Sequence, residues 1–151
     1  MSRSRVTVPL LPELLSDRAR RALEIHHVGH DVGRARVLRQ LRMGELRRRD
    51  ICDAKPHLLH SADVLGDAVA GACPVCGRHR LRMIRWIHGV VLGEKSGTAR
   101  NVREIRSVVD TFLDDADASA DSQEMSIHTV EVCLGCKWNY LLAEDILRVQ
   151  Q

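Results

Sequence analysis

Two short cysteine pairs constrain what this chain can fold into: C-P-V-C, with Cys73 and Cys76, and C-L-G-C, with Cys133 and Cys136. A C-x-x-C turn lets two thiolates converge on one point, and two such turns supply four soft ligands for tetrahedral zinc at about 2.3 Å per bond. Neither pair completes a site alone, so the segments around them must meet. Residues 77–132, 56 in all, separate Cys76 from Cys133, more than the roughly 15–20 of a compact ribbon. The excess requires an insertion between the two central strands.

The intervening sequence supplies both. RHRLRMIRWIHGVVL (78–92) begins by alternating arginine with apolar residues, which predicts a strand at about 80–87. MSIHTVEV (125–132) is β-branched and runs into the second cysteine pair, predicting a second strand. Between them, Val102, Ile105, Val109 and Phe112 recur at spacings of three and four. That is an amphipathic helix over about 98–113, with Thr98 as its cap. The acidic stretch 114–124 reads as a loop. Residues from Trp138 to Val149 predict a short strand followed by a terminal helix.

The first third is different in kind. Residues 1–50 contain twelve Arg and six Asp or Glu, net +6, whereas the remaining 101 carry net −3. Residues 1–10 read as a basic tail. Pro12 is placed to open a helix carrying Leu14, Leu15, Ala22 and Ile25, broken by the histidine-rich turn HHVGHDVG (26–33). From Asp31 to about Arg49 the pattern predicts a basic amphipathic helix, with Ala35, Leu38 and Leu41 on one side. Pro56 begins a third helix with Leu58, Leu59 and Ala62. The expected fold is therefore α+β: a four-cysteine zinc ribbon at 71–151 with a helical insertion at about 96–124, preceded by a helical segment at 11–70.

Four motifs occur in order: ICDAKPHLL (51–59), CPVCG (73–77), LGEKSGTAR (92–100) and VEVCLGCKWNYLL (130–142). Together they resemble a family of small, largely uncharacterised actinobacterial proteins, a domain of unknown function with two C-x-x-C pairs. The resemblance covers about residues 31–145. It implies a bacterial cytosolic origin and bound zinc, and no reaction. The first 30 residues and the acidic stretch 114–124 depart from the family pattern.

Four sulfurs close the coordination sphere, so the zinc expected at Cys73, Cys76, Cys133 and Cys136 is structural. An odd cysteine count with no signal peptide or membrane-length apolar run fits reduced thiols in the cytoplasm. Cys52, the fifth, reads as a buried inert thiol. The competing use of the pairs is a thiol-based redox or zinc-sensing regulator. Among the eight histidines, His26, His27 and His30 read as a solvated turn, His57 and His60 as helix surface, and His88 and His128 as strand neighbours. No phosphate-binding glycine loop, nucleophile elbow or metalloprotease helix is present. The expectation is a protein that is not an enzyme and has no small-molecule substrate.

Its partner would instead be a macromolecule. Arg34, Arg36, Arg39, Arg42, Arg47, Arg48 and Arg49 are spaced to track a phosphate backbone, although arginine enrichment equally reflects a GC-rich genome. Trp86, Trp138 and Tyr140 are candidates to stack on bases or anchor a protein; the alternative is that they close the core over the metal. By analogy with ribbons in general, the expected partner is nucleic acid or the transcription or translation machinery, RNA polymerase or the ribosome.

Overall fold

A computed structural model describes residues 10–118 and 124–150. Helices α1 (Leu11–Leu14) and α2 (Asp17–Ala22) lead into strand β1 (Leu23–Gly29). Helix α3 (Asp31–Arg42), the single turn α4 (Arg48–Ile51) and helix α5 (Pro56–Leu65) follow. After the short strand β2 (Asp67–Ala68) comes β3 (Leu81–His88), a 3-10 segment, and β4 (Thr98–Arg100). Helix α6 (Val102–Ala118) and the long strands β5 (Glu124–Cys133) and β6 (Asn139–Val149) complete the fold.

One antiparallel sheet runs in the order β1-β6-β5-β3-β2, and β4 also pairs with β3. The expected order of knuckle, strand, helical insertion, strand and knuckle is present: β3 pairs with β5, Leu81 facing Cys133. Strand alternation sends Ile87 and Ile84 to opposite faces. On one, Leu11, Leu15, Ala19, Ile105, Val109 and Phe112 pack with Ile87, Ile127 and Leu147 beneath α1, α2 and α6. On the other, Ala54 and Ala62 cover Ile84 and Val132, with Leu58, Leu59 and Trp86 around them. A third cluster, Leu38, Leu81 and Trp138, encloses the buried cysteines Cys73 and Cys133.

Several local expectations differ from this arrangement. LEIHHVG (23–29) is a strand, not the end of a helix and a solvated turn. Leu23 is buried and Ile25 packs on the main core, while His27 bonds the buried carboxylate of Asp145 at 2.6 Å. Two histidines in succession hide that alternation. The helix from Asp31 stops at Arg42, where Glu45 and Leu46 donate backbone N–H groups back to the Gln40 carbonyl, and Arg48–Ile51 makes a separate turn. Ala35 is exposed on that helix. Thr98 lies in β4; the helix cap is Asn101, whose side-chain oxygen accepts from the Glu104 N–H at 3.0 Å while Glu104 accepts from the Asn101 N–H at 3.3 Å. Residues 114–118, expected as loop, continue α6, and 119–123 lie outside the described residues. Likewise the basic tail, apart from Leu10, lies outside them. Residues 139–149 form one strand with no terminal helix, because β6 is paired along both edges, with β5 and β1. Among the described residues no helix is long and apolar enough to cross a membrane.

Candidate metal centre

The two cysteine pairs fold as matching turns. In the first, Cys73 donates its N–H to the Arg78 carbonyl at 2.8 Å and Gly77 donates to the Cys73 carbonyl at 2.9 Å. In the second, Cys133 donates to Trp138 at 2.8 Å and Lys137 donates to Cys133 at 3.0 Å. The residue after each second cysteine is left-handed: Gly77 at φ 77° and Lys137 at φ 71°. Glycine adopts this conformation without steric cost, whereas a side chain makes it unfavourable by roughly 1 kcal/mol. The first turn leads towards β3 and the second closes the β5–β6 hairpin, so pairing of Leu81 with Cys133 brings the turns together.

The four sulfurs of Cys73, Cys76, Cys133 and Cys136 all lie within 4.8 Å of one another. Cys73 to Cys136 and Cys76 to Cys133 are each 3.7 Å. A tetrahedron with metal–sulfur bonds of about 2.3 Å has edges of about 3.8 Å, so this spacing fits four thiolates around one ion. Burial pushes the Cys73 thiol up to about 11 and raises that of Cys136 as well. Burial acts in the same sense on Cys76, but the Arg78 backbone N–H and the neighbouring thiols outweigh it and its value falls below the ordinary one. The cluster can hold a metal ion.

Cys52, expected as a buried inert thiol, lies beside the cluster. It is half-buried, and its thiol donates towards the Cys136 sulfur at 3.8 Å. The segment bearing it is fastened to both turns: Arg48 Nη2 donates to the Val75 carbonyl at 2.8 Å, and Ala54 N–H donates to the Lys137 carbonyl at 3.1 Å. Asn139 reinforces the second attachment by donating to Asp53 at 2.9 Å.

The residues expected to meet a partner divide into two groups. Arg34 is engaged within the fold: its Nε donates at 2.7 Å to Glu131 Oε1, a carboxylate only 1% exposed. Trp138 donates to that same oxygen from Nε1 at 2.8 Å and is itself buried, so it packs the core. Tyr140 stacks on it with ring centroids 5.7 Å apart. Trp86 is half-buried beneath α5, 5.8 Å from the His57 ring. By contrast, Arg36, Arg39, Arg42, Arg47, Arg48 and Arg49 are exposed. Glu131 was missed as a buried structural partner, because a single acid in a β-branched strand reads as a solvent-side group.

Among the described residues, Arg36, Arg39, Arg42, Arg47 and Arg49 have no ion-pair partner, and neither do Arg78, Arg80 and Lys137 around the two turns. Elsewhere the pairing is mixed: Arg18 pairs with Asp114, Arg20 with Asp17, Arg100 with Glu104 and Arg148 with Glu124, whereas Arg21, Lys95, Arg103 and Arg106 have no ion-pair partner among the described residues. The nearby acids Asp50 and Asp53 already accept from the Arg47 N–H and from Asn139. Eight unpaired cations thus lie on and after α3 and at the two cysteine turns.

Residues 23–151 match the model of a family of unknown function, DUF5318, and the chain belongs to that family. It is similar to the uncharacterised protein Rv0049 of Mycobacterium tuberculosis (strain H37Rv) and to the uncharacterised protein Mb0050 of Mycobacterium bovis. Each is 32% identical over 114 residues, covering 76% of this chain and 76% of the relative. No solved structure matches.

Proposed function

We propose that this chain is a non-enzymatic binding module, braced by one structural zinc ion on Cys73, Cys76, Cys133 and Cys136, whose partner is nucleic acid, free or held within RNA polymerase or the ribosome. A group of unpaired cations carries this reading. Arg36, Arg39, Arg42, Arg47 and Arg49, with Arg78, Arg80 and Lys137 at the two turns, have no carboxylate partner among the described residues. A row of guanidinium and ammonium groups without counterions favours a polyanion, because each phosphate contact releases a condensed counterion. Zinc is the metal best suited to four thiolates at tetrahedral spacing, and a closed sphere leaves no position for water or substrate.

The brace matters because the cations sit on separate segments. Arg78 and Arg80 follow the first turn, Lys137 belongs to the second, and Arg47–Arg49 lie on the segment fastened to both. One ion holding the turns together would fix their spacing relative to a phosphate backbone. Arg78 also lies across Gly135 of the other turn, where a Cβ would stand 3.1 Å from its Cδ.

Fluorescence anisotropy of zinc-loaded protein with a labelled single-stranded RNA, repeated over a salt series, tests the reading. Charge reversal of Arg78, Arg80 and Lys137 together should weaken binding and flatten the plot of log K against log salt by about 2, at roughly 0.7 per phosphate contact. No binding to RNA or duplex DNA at low salt would overturn the nucleic-acid assignment. Metal analysis and the cobalt-substituted spectrum test the brace: a tetrahedral four-thiolate spectrum is expected, and a five- or six-coordinate one would overturn it.

A further inference from the structure

We propose that Cys52 and Cys136 form an oxidative modification site, in which a hydroperoxide joins them as a disulfide and removes Cys136 from the metal's coordination sphere. This rests on the reading of the four-cysteine cluster as a metal centre. The fifth sulfur stands as far from Cys136, 3.8 Å, as the ligand sulfurs stand from one another. Yet it is outside the group of four whose sulfurs are all mutually close. With metal bound, Cys73, Cys76 and Cys133 are committed to the ion, and Cys52 is the free thiol in contact with a ligand.

Its placement is held from both sides. The bond from Arg48 to Val75 and the bond from Ala54 to Lys137 bracket Cys52 and tie it to the first and second turns. Cys52 N–H itself donates to the Arg48 carbonyl at 2.7 Å, closing the α4 turn. The contact therefore belongs to a three-point attachment and not to a loose side chain. Access is open to Cys52, Cys76 and Cys136, which are half-buried, whereas Cys73 and Cys133 are buried, and of these ligands it is Cys136 that Cys52 contacts. Forming the bond requires the sulfurs to close from 3.8 Å to about 2.05 Å, within reach of side-chain rotation.

The chemistry balances in two steps. The Cys136 thiolate attacks a peroxide oxygen; the O–O bond breaks, Cys136 becomes the sulfenic acid, and an alkoxide or hydroxide leaves. The Cys52 sulfur then attacks the Cys136 sulfur, the S–OH bond breaks, and the departing hydroxide takes the Cys52 proton as water. Two electrons pass from the two sulfurs to the peroxide. The ion is left with three sulfurs, and the α4 segment becomes covalently joined to the second turn. A thiol reductant reverses the link.

The test uses the full chain loaded with zinc. Hydrogen peroxide should release zinc to a chromogenic chelator, and peptide mapping should find the Cys52–Cys136 disulfide, with dithiothreitol restoring metal binding. In Cys52→Ser the disulfide should be absent and release slowed about tenfold or more, the loss of a tethered thiol at high effective concentration. Equal release rates in the variant and the native chain, or disulfides confined to Cys73–Cys136 and Cys76–Cys133, would overturn the proposal. As a measurement that needs no variant, N-ethylmaleimide added to zinc-loaded native protein should alkylate Cys52 alone and block peroxide-driven release; alkylation that spares Cys52 would overturn it. Zinc content before oxidation reads the metal centre separately: one zinc per chain with no Cys52–Cys136 link refutes the disulfide and leaves the centre standing.

Discussion

Replacing Arg34 by Ala should destabilise the fold by about 3 kcal/mol, because the buried Glu131 carboxylate would lose its charged partner. The carboxylate is 1% exposed, and its Oε1 accepts from Arg34 Nε at 2.7 Å and from Trp138 Nε1 at 2.8 Å. Removing one partner of a buried pair costs roughly 3–5 kcal/mol. The lower end applies here, since the Trp138 N–H remains and Arg34 is itself 25% exposed. Glu131→Gln should cost less, about 1–2 kcal/mol, because the amide oxygen still accepts both bonds while each loses its charge assistance, and the stranded guanidinium can turn towards solvent. Arg36→Ala, on the exposed face of the same helix, should stay within about 0.5 kcal/mol of the native protein. Urea unfolding followed by circular dichroism at fixed excess zinc measures all three, the fixed zinc being needed because metal binding itself adds stability. At about 2–4 °C per kcal/mol, Arg34→Ala should lower Tm by roughly 6–12 °C. An Arg34→Ala variant as stable as Arg36→Ala would refute the structural role assigned to the ion pair. So would a loss of RNA affinity in Arg34→Ala, beyond that of Arg36→Ala, with stability unchanged.

Lys137→Gly should raise stability by about 1 kcal/mol, seen as an upward shift in Tm, because the left-handed backbone at φ 71° would no longer carry a Cβ; a lower Tm would count against that strain. His88 should titrate below the ordinary histidine value, since burial and the neighbouring His128 ring, 4.5 Å away, both disfavour its charged form. A depressed histidine value makes the stability from this residue present above about pH 6.5 and lost as pH falls through that value towards the lower folded one. NMR titration of the His88 ring would contradict this with a midpoint at or above 6.5, and His128→Asn should move the midpoint upward.

The cysteine turns, the helix opened by Pro56, the amphipathic stretch at Val102–Phe112 and the two strands adjoining the cysteines were all legible, because each carries a local signal: spacing, a turn residue or a period. What could not be read depends on distant partners. Glu131 looks like a solvent-side acid until Arg34, 97 positions away, is seen to face it. The strand at 23–29 is concealed because position 27, on the same side as Leu23 and Ile25, is an exposed histidine that bonds the buried Asp145 across the sheet. Residues 144–149 mix charge and apolar groups as a helix would; Glu144 and Arg148 find His30 and Glu124, not helix neighbours. Cys52 carries no motif of its own, and only the folding of its segment against both turns places it at the cluster.

The pairing of β1 with β6 joins Leu23 to Val149, near opposite ends of the chain, whereas β5 and β6 meet through one tight turn. Closing a long loop costs more entropy and comes later than closing a short one. During synthesis the segment 23–29 therefore emerges long before its partner exists, with apolar Leu23 and Ile25 unpaired. The sheet gains this edge only after β6 has left the ribosome. A chain stalled or cut before Asn139 would carry all four cysteines but lack the strand that pairs with both β5 and β1, leaving an open edge on each.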